Sequence, residues 1–146
     1  MSEYAQRIKA PPEETFWPDI SLDLTGAILV DLSLDNTSVV HAAFNEATFS
    51  GYAGFDGATF SGYAGFDQAT FSGYAVFDQA TFSEGAWFDE ATFSEGAWFD
   101  QVQVLHVDDP SLNEIRKWPD GWTVRPDADD PTRGTLVPSA AGADND

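Results

Sequence analysis

Five aspartates stand at eleven-residue intervals: Asp56, Asp67, Asp78, Asp89 and Asp100. Carboxylates in such an array could attract a divalent cation or present a negative surface to a partner. The glycine-rich repeat of a calcium-binding β-roll is missing, so Ca²⁺ would be held only weakly. His41 and His106 are the only histidines and lie at opposite ends of the patterned region. No nucleophile–base–orienter set assembles around either one. No phosphate-cradling glycine loop is present. The chain has no cysteine, which removes disulfides, thiolate metal sites and thiol nucleophiles. These residues assign no catalytic, cofactor or metal position, and they point to a protein that is not an enzyme. The alternative is a small hydrolase or metal-dependent enzyme, which would need a pocket with convergent polar groups at His41 or His106.

The charge balance narrows the partner. Asp and Glu number 25 against 6 Lys and Arg, for a formal charge of −19. Residues 20–104 hold twelve of those acids and no Lys or Arg. Direct nucleic-acid binding is disfavoured, because phosphate contacts need basic side chains. Acidic chains with few aromatics tend to be disordered, but this one has 12 Phe, 5 Trp and 4 Tyr. The acids must therefore decorate the outside of a packed core. No apolar run approaches the roughly 20 residues of a membrane helix, and the N-terminal residues lack an apolar signal-peptide segment. A cytoplasmic protein is expected.

The elements that carry these residues follow from the repeat. From Phe44 the chain has a period of 11, with phenylalanines alternating at spacings of 5 and 6. They are Phe44, Phe49, Phe55, Phe60, Phe66, Phe71, Phe77, Phe82, Phe88, Phe93 and Phe99. An alanine sits two residues before each. Upstream, Leu24, Leu29, Leu34 and Val39 continue the frame at spacing 5, and Val102 and Val104 complete it downstream. Helix is a poor reading, because the units carry Thr, aromatics and Gly, all weak helix formers. Alternation lasts for only three residues, Ala-Thr-Phe, before a turn-forming Ser-Gly or Asp-Gly. Short strands with a turn after each describe the sides and corners of a solenoid.

A large apolar central residue with a small residue two before it resembles the pentapeptide-repeat proteins. The resemblance spans about Leu24 to Val104. It implies an all-β fold, a right-handed quadrilateral β-solenoid in which four units make one coil. Four coils follow: one of about 20 residues with an aliphatic core, then three of 22 with a phenylalanine core. The departure from the family is an extra residue in every second unit, as in Ser-Gly-Tyr-Ala-Gly, which we place at a corner where a bulge is tolerated. A flat, two-sided coil of 11 residues is the alternative geometry.

Solenoid ends need caps. Residues 1–19 are read as an N-terminal cap, with a short helix at 2–9 and with Phe16 and Trp17, beside Ile20, over the first coil. Residues 20–104 are the solenoid. Residues 105–126 form a C-terminal cap, in which Ser111 and Glu114 suggest a capping box and a helix over 112–118 that turns Leu112, Ile115 and Trp118 to one side. Trp122 and Val124 follow as an extended piece, and residues 127–146 read as a disordered acidic tail. Trp17-Pro18-Asp19 and Trp118-Pro119-Asp120 match the acid loop of tyrosine phosphatases in letters only, since that chemistry needs a cysteine; both read as turns.

The candidate functional surface is therefore external. Asp56, Asp78 and Asp100 should stack on one face and Asp67 and Asp89 on the opposite one, with Glu84, Glu90 and Glu95 adding to the field. Solubility alone would explain such charge. Trp87 and Trp98 should point outward on opposite faces near the C-terminal end, where outward aromatics suit a protein interface unless the C-terminal segment covers them. Threonine ladders on the remaining faces fit β-propensity. The expected function is a non-enzymatic scaffold that binds a partner protein through the acidic faces or the Trp-bearing end. The resemblance implies two further possibilities: a DNA-mimicking modulator of DNA gyrase, as in quinolone-resistance members of the family, and a homodimer through the C-terminal end.

Overall fold

The computed structural model describes residues 20–139. The N-terminal cap expected over 1–19 lies outside them, as do residues 140–146. Each repeat unit closes on a turn whose shape is fixed by backbone chemistry. The N–H of Ala47 donates to the Phe44 carbonyl at 3.1 Å, and the same bond recurs from Ala58, Ala69, Ala80 and Ala91. The third turn residue takes a left-handed conformation, as at Glu46, Gly57, Gln68, Gln79, Glu90 and Gln101. Most of these are not glycine, so each turn holds roughly 1–2 kcal/mol of backbone strain that the inward phenylalanine must offset.

The first coil contains β1 (Ser21–Asp23), β2 (Ile28–Val30) and β3 (Ser38–Val39). The second holds β4 (His41–Ala43), β5 (Thr48–Ser50), β6 (Ala53–Gly54) and β7 (Thr59–Phe60). The third holds β8 (Ala64–Gly65), β9 (Thr70–Phe71), β10 (Tyr74–Val76) and β11 (Thr81–Phe82). The fourth holds β12 (Ala86–Trp87), β13 (Thr92–Phe93), β14 (Gly96–Trp98) and β15 (Gln103–Leu105). The cap adds a 3-10 helix (Pro110–Ile115), β16 (Arg116–Lys117), β17 (Trp122–Pro126) and β18 (Arg133–Pro138).

Stacking produces four parallel sheets, one per side. Side 1 is β1-β4-β8-β12-β16, side 2 is β2-β5-β9-β13, and side 3 is β6-β10-β14 with a bridge from Ser33 to Gly54. Side 4 is β3-β7-β11-β15, extended by β18 and β17. The coil is thus four-sided, not flat. Register advances by 20 residues from the first coil (Ser21↔His41) and by 22 later (Ala42↔Ala64). The extra residue sits at a corner, as the sequence predicts: Gly51 bends with positive φ immediately after β5.

The interior is four columns of rings. Phe49 stacks on Phe71 at 4.4 Å, and Phe71 on Phe93 at 4.8 Å. Phe55 stacks on Phe77 at 4.7 Å, while rings of adjacent columns meet edge to face, as Phe66 meets Phe77 at 5.4 Å. Each buried ring contributes about 1.5–3 kcal/mol from area alone, and each aromatic pair about 0.5–1.5 more.

The C-terminal region departs from the sequence reading in three ways. The helix is a 3-10 turn that ends at Ile115, and its N-cap is Asp109, whose carboxylate accepts from the Ser111 N–H. Arg116 and Lys117 are drawn into an extended strand by pairing with β12, so the helix cannot run to 118. Leu112 is buried and Trp118 packs on Phe82 at 5.7 Å, but Ile115 is exposed. Finally, residues 127–139 are not a disordered tail: β18 pairs antiparallel with both β15 and β17 and buries Leu136 against the core. Trp118-Pro119-Asp120 does start a turn, closed by the Trp122 N–H on the Pro119 carbonyl at 3.0 Å.

Candidate interaction surface

The aspartate that follows every second core ring from Phe55 onward sits at a corner, and in three cases the backbone or side chain there bonds to the neighbouring coil. The Asp56 N–H donates to Asp35 Oδ1 at 3.0 Å, and the Asp100 N–H to Asp78 Oδ1 at 2.8 Å. Across the coil, the Asp67 N–H donates to Asn45 Oδ1 at 3.1 Å. A short side-chain acceptor at this position therefore ties one coil to the next. Sequence reasoning missed this structural role. The available signal was Asn45 holding the same place as the aspartates, since Asn and Asp share an acceptor and not a charge.

Two acid ladders result. Asp35, Asp56, Asp78 and Asp100 line the corner between sides 3 and 4, as the carbonyls of the last three accept in turn from Asn36, Gly57 and Gln79. Asp67 and Asp89 stack at the corner between sides 1 and 2, their carbonyls accepting from Glu46 and Gln68. Glu90 lies at the latter corner, whereas Glu84 and Glu95 sit at two further corners, so the structure does not gather all eight acids at one place. Burial raises the Asp56 carboxyl above the usual carboxylate range, and the charges of Asp35 and Asp78 raise it further.

The tryptophans part company. Trp87 lies on side 1, half-buried, with Lys117 of β16 as its register partner in the following strand. Lys117 Nζ reaches Asp89 at 3.9 Å, the one ion pair among the described residues. Trp98 lies on side 3, 46% exposed, with no strand beyond it. Tyr74 (53% exposed) meets its ring edge to face at 5.3 Å, and Tyr52 (41% exposed) continues the row. Burial first, then the charges of Asp35, Asp56 and Asp78, raise the Tyr52 phenol above its ordinary range. Among the described residues the C-terminal segment thus adds a strand beyond the tryptophan of side 1 and none beyond that of side 3.

Two grooves border Trp98. One, of about 310 Å³, is lined by Tyr52, Tyr74, Val76, Asp78 and Trp98. The other, of about 470 Å³, runs between β14 and the β17–β18 hairpin. Neither is lined by a histidine. His41 accepts the Tyr63 N–H at Nδ1, and His106 occupies a left-handed turn. Among the described residues no group of three or more His, Asp or Glu is placed to hold a metal ion, and no helix is long and apolar enough to cross a membrane.

A family model for pentapeptide repeats (9 copies) matches residues 66–108, the C-terminal half of the coil. Over those residues the chain is similar to the pentapeptide-repeat family, and the stacking described above is that of a β-solenoid of four coils. No curated protein and no solved structure matches it.

Proposed function

We propose that the protein is a non-enzymatic interaction scaffold, and that its partner protein meets the acidic, aromatic surface of side 3 at the C-terminal end. One observation carries this reading. Tyr52, Tyr74 and Trp98 lie exposed beside Asp56, Asp78 and Asp100, and no cation of the described residues pairs with those acids. An exposed aromatic row next to unneutralised carboxylates favours association with a basic protein surface, whose approach the field would steer. The filled phenylalanine interior leaves the outside as the place for function. A photo-crosslinker at Tyr74 tests the reading in native cytosol. It should capture a protein, whereas the same group at Thr70 on side 2 should not. Equal capture from both positions, or none from either, would remove the scaffold reading.

A DNA-mimicking modulator of gyrase is the narrower form. The unbroken corner of Asp35, Asp56, Asp78 and Asp100 favours it, and inhibition of gyrase supercoiling at micromolar protein is its test. Absence of inhibition eliminates that form and leaves the scaffold reading standing.

A further inference from the structure

The ten residues Ala80–Asp89 and Ala91–Asp100 are identical, Ala-Thr-Phe-Ser-Glu-Gly-Ala-Trp-Phe-Asp. The fold places them half a coil apart, so that Ala86–Trp87 form β12 on side 1 and Gly96–Trp98 form β14 on side 3. Among the described residues, one copy has a strand stacked on it and the other does not.

The occupied copy shows what this surface accepts. β16 adds to β12 in parallel, with Arg116 opposite Ala86 and Lys117 opposite Trp87. The Phe88 N–H donates to the Lys117 carbonyl at 2.7 Å. The Arg116 guanidinium donates to the carbonyls of Ser83, Glu84 and Leu105, and Lys117 reaches Asp89. The occupant is thus an extended dibasic segment that satisfies one backbone donor, three carbonyls (Ser83, Glu84 and Leu105) and one carboxylate.

The copy on side 3 has the equivalent backbone donor, corner carbonyls and carboxylate, but no counterpart of the Leu105 carbonyl, and Gly96 has a positive φ that Gly85 does not. On side 3 the N–H groups of Leu34, Phe55 and Phe77 donate in turn to the carbonyls of Gly54, Val76 and Trp98. The series stops at Phe99, which is 3% exposed and whose N–H meets no carbonyl among the described residues. Trp98 and Asp100 stand beside it without a cation, and the groove between β14 and the hairpin leaves room along the edge. The aromatic position above the ring is already filled: Trp122 covers Phe99 at 5.2 Å, as Trp118 covers Phe88 at 6.4 Å on side 1. An occupant therefore needs the two basic residues and not the tryptophan that follows them in β16. Arg125 lines the far wall of the groove, which confines incoming positive charge to the Asp100 side.

We infer that the open edge of β14 is a docking site for an extended segment of a partner protein bearing adjacent basic residues, added as a parallel strand. One basic side chain lies in register with Trp98 and reaches Asp100, and its neighbour, in register with Ala97, reaches the carbonyls of Ser94 and Glu95. Strand addition gives affinity through the main chain, and the side-chain positions give specificity. This deepens the scaffold reading and rests on it.

The probe is a blocked synthetic peptide copying residues 113–118, titrated into the full chain and followed by amide NMR. Shifts should be confined to residues 96–101, with the Phe99 amide most affected. Asp100→Asn should weaken binding about two- to fivefold, the scale of one exposed charge pair, and Trp98→Ala should weaken it as well. Asp89→Asn, on the occupied copy, should leave affinity within about twofold. A peptide with Gln in place of Arg and Lys should not bind, and added salt should weaken the basic peptide. Shifts spread along both aspartate ladders, or unchanged affinity in Asp100→Asn, would overturn the site while leaving the scaffold reading intact. No shift at millimolar peptide would also overturn it, and crosslinking from Tyr74 would then judge the scaffold reading separately. If the free chain sediments as a dimer with the Phe99 amide protected, a second copy holds the edge. If it is a monomer with that amide protected, its own terminal residues do. Either result rejects a partner segment.

Discussion

Phe66→Ala should be the most destabilising truncation in the molecule. Its ring is stacked between Phe44 at 5.2 Å and Phe88 at 4.8 Å. It also meets Phe55, Phe60 and Phe77 edge to face at 5.5, 6.2 and 5.4 Å. Truncation of a buried Phe costs about 3–5 kcal/mol through lost burial and the cavity left behind. With the tilted rings of Phe49 and Phe71, seven aromatic partners put Phe66 at the upper end, about 5 kcal/mol. Phe93, in the last coil, is partly exposed, stacks on Phe71 alone and meets Phe99 at 5.9 Å. Its truncation should cost about 2–3 kcal/mol, little more than the burial of one ring. Equilibrium urea unfolding with linear extrapolation measures both losses. Because domains of this size are stable by only about 5–15 kcal/mol, Phe66→Leu provides a milder step in the same series. Equal losses from Phe66→Ala and Phe93→Ala, or a larger loss at Phe93, would refute the nearest-neighbour account of the stacked core.

Gly73→Ala should destabilise strongly. A Cβ there would lie 2.3 Å from the Gly51 carbonyl oxygen in the coil below, and backbone cannot move aside as a side chain can. A loss above about 2 kcal/mol in urea unfolding is expected. Arg116→Met should loosen the cap, because the guanidinium donates to the carbonyls of Ser83, Glu84 and Leu105. A loss of about 1.5–3 kcal/mol is expected for charged hydrogen bonds, with faster amide exchange in β17 and β18 as the structural readout. Asp56→Asn should stabilise the protein at neutral pH by about 0.2–1 kcal/mol, the scale of exposed charge pairs. The carboxyl of Asp56 is raised in the fold by burial and by Asp35 and Asp78, so the folded state binds its proton more tightly than the unfolded chain does. Wild-type stability at this site therefore recovers as pH falls through the raised value. The advantage of the variant should vanish below the ordinary carboxylate range, and an advantage that persists there would contradict the cause given.

The parts of the fold set by periodicity were legible in the sequence. Spacing of 5 and 6 between phenylalanines specified the four columns, the registers and the corner that takes the extra residue. The cap was less legible, because its structure depends on partners distant in the chain. Ser111 and Glu114 match a capping box locally, yet pairing with Ala86 and Trp87 extends Arg116 and Lys117 and stops the helix. Thr135, Leu136 and Val137 carry β-propensity, but the Asp, Pro and Gly around them read as tail. Their strand exists because Val104 and its neighbours in β15 supply an edge. The outward Trp and Asp positions were also visible. Their inequality was not, since the two ten-residue segments are identical in sequence and it is the distant β16 that pairs with one of them and not the other.

That inequality can be measured directly from amide hydrogen exchange of the free chain. The amides of Phe77 and Phe88 donate to the carbonyls of Trp98 and Lys117 and should be protected to the level of the core. The Phe99 amide, at the open edge of β14, should exchange orders of magnitude faster and slow only when a dibasic segment is bound. Protection of Phe99 equal to that of Phe88 in the free chain would show the edge already covered and would contradict the account of side 3 as the open surface.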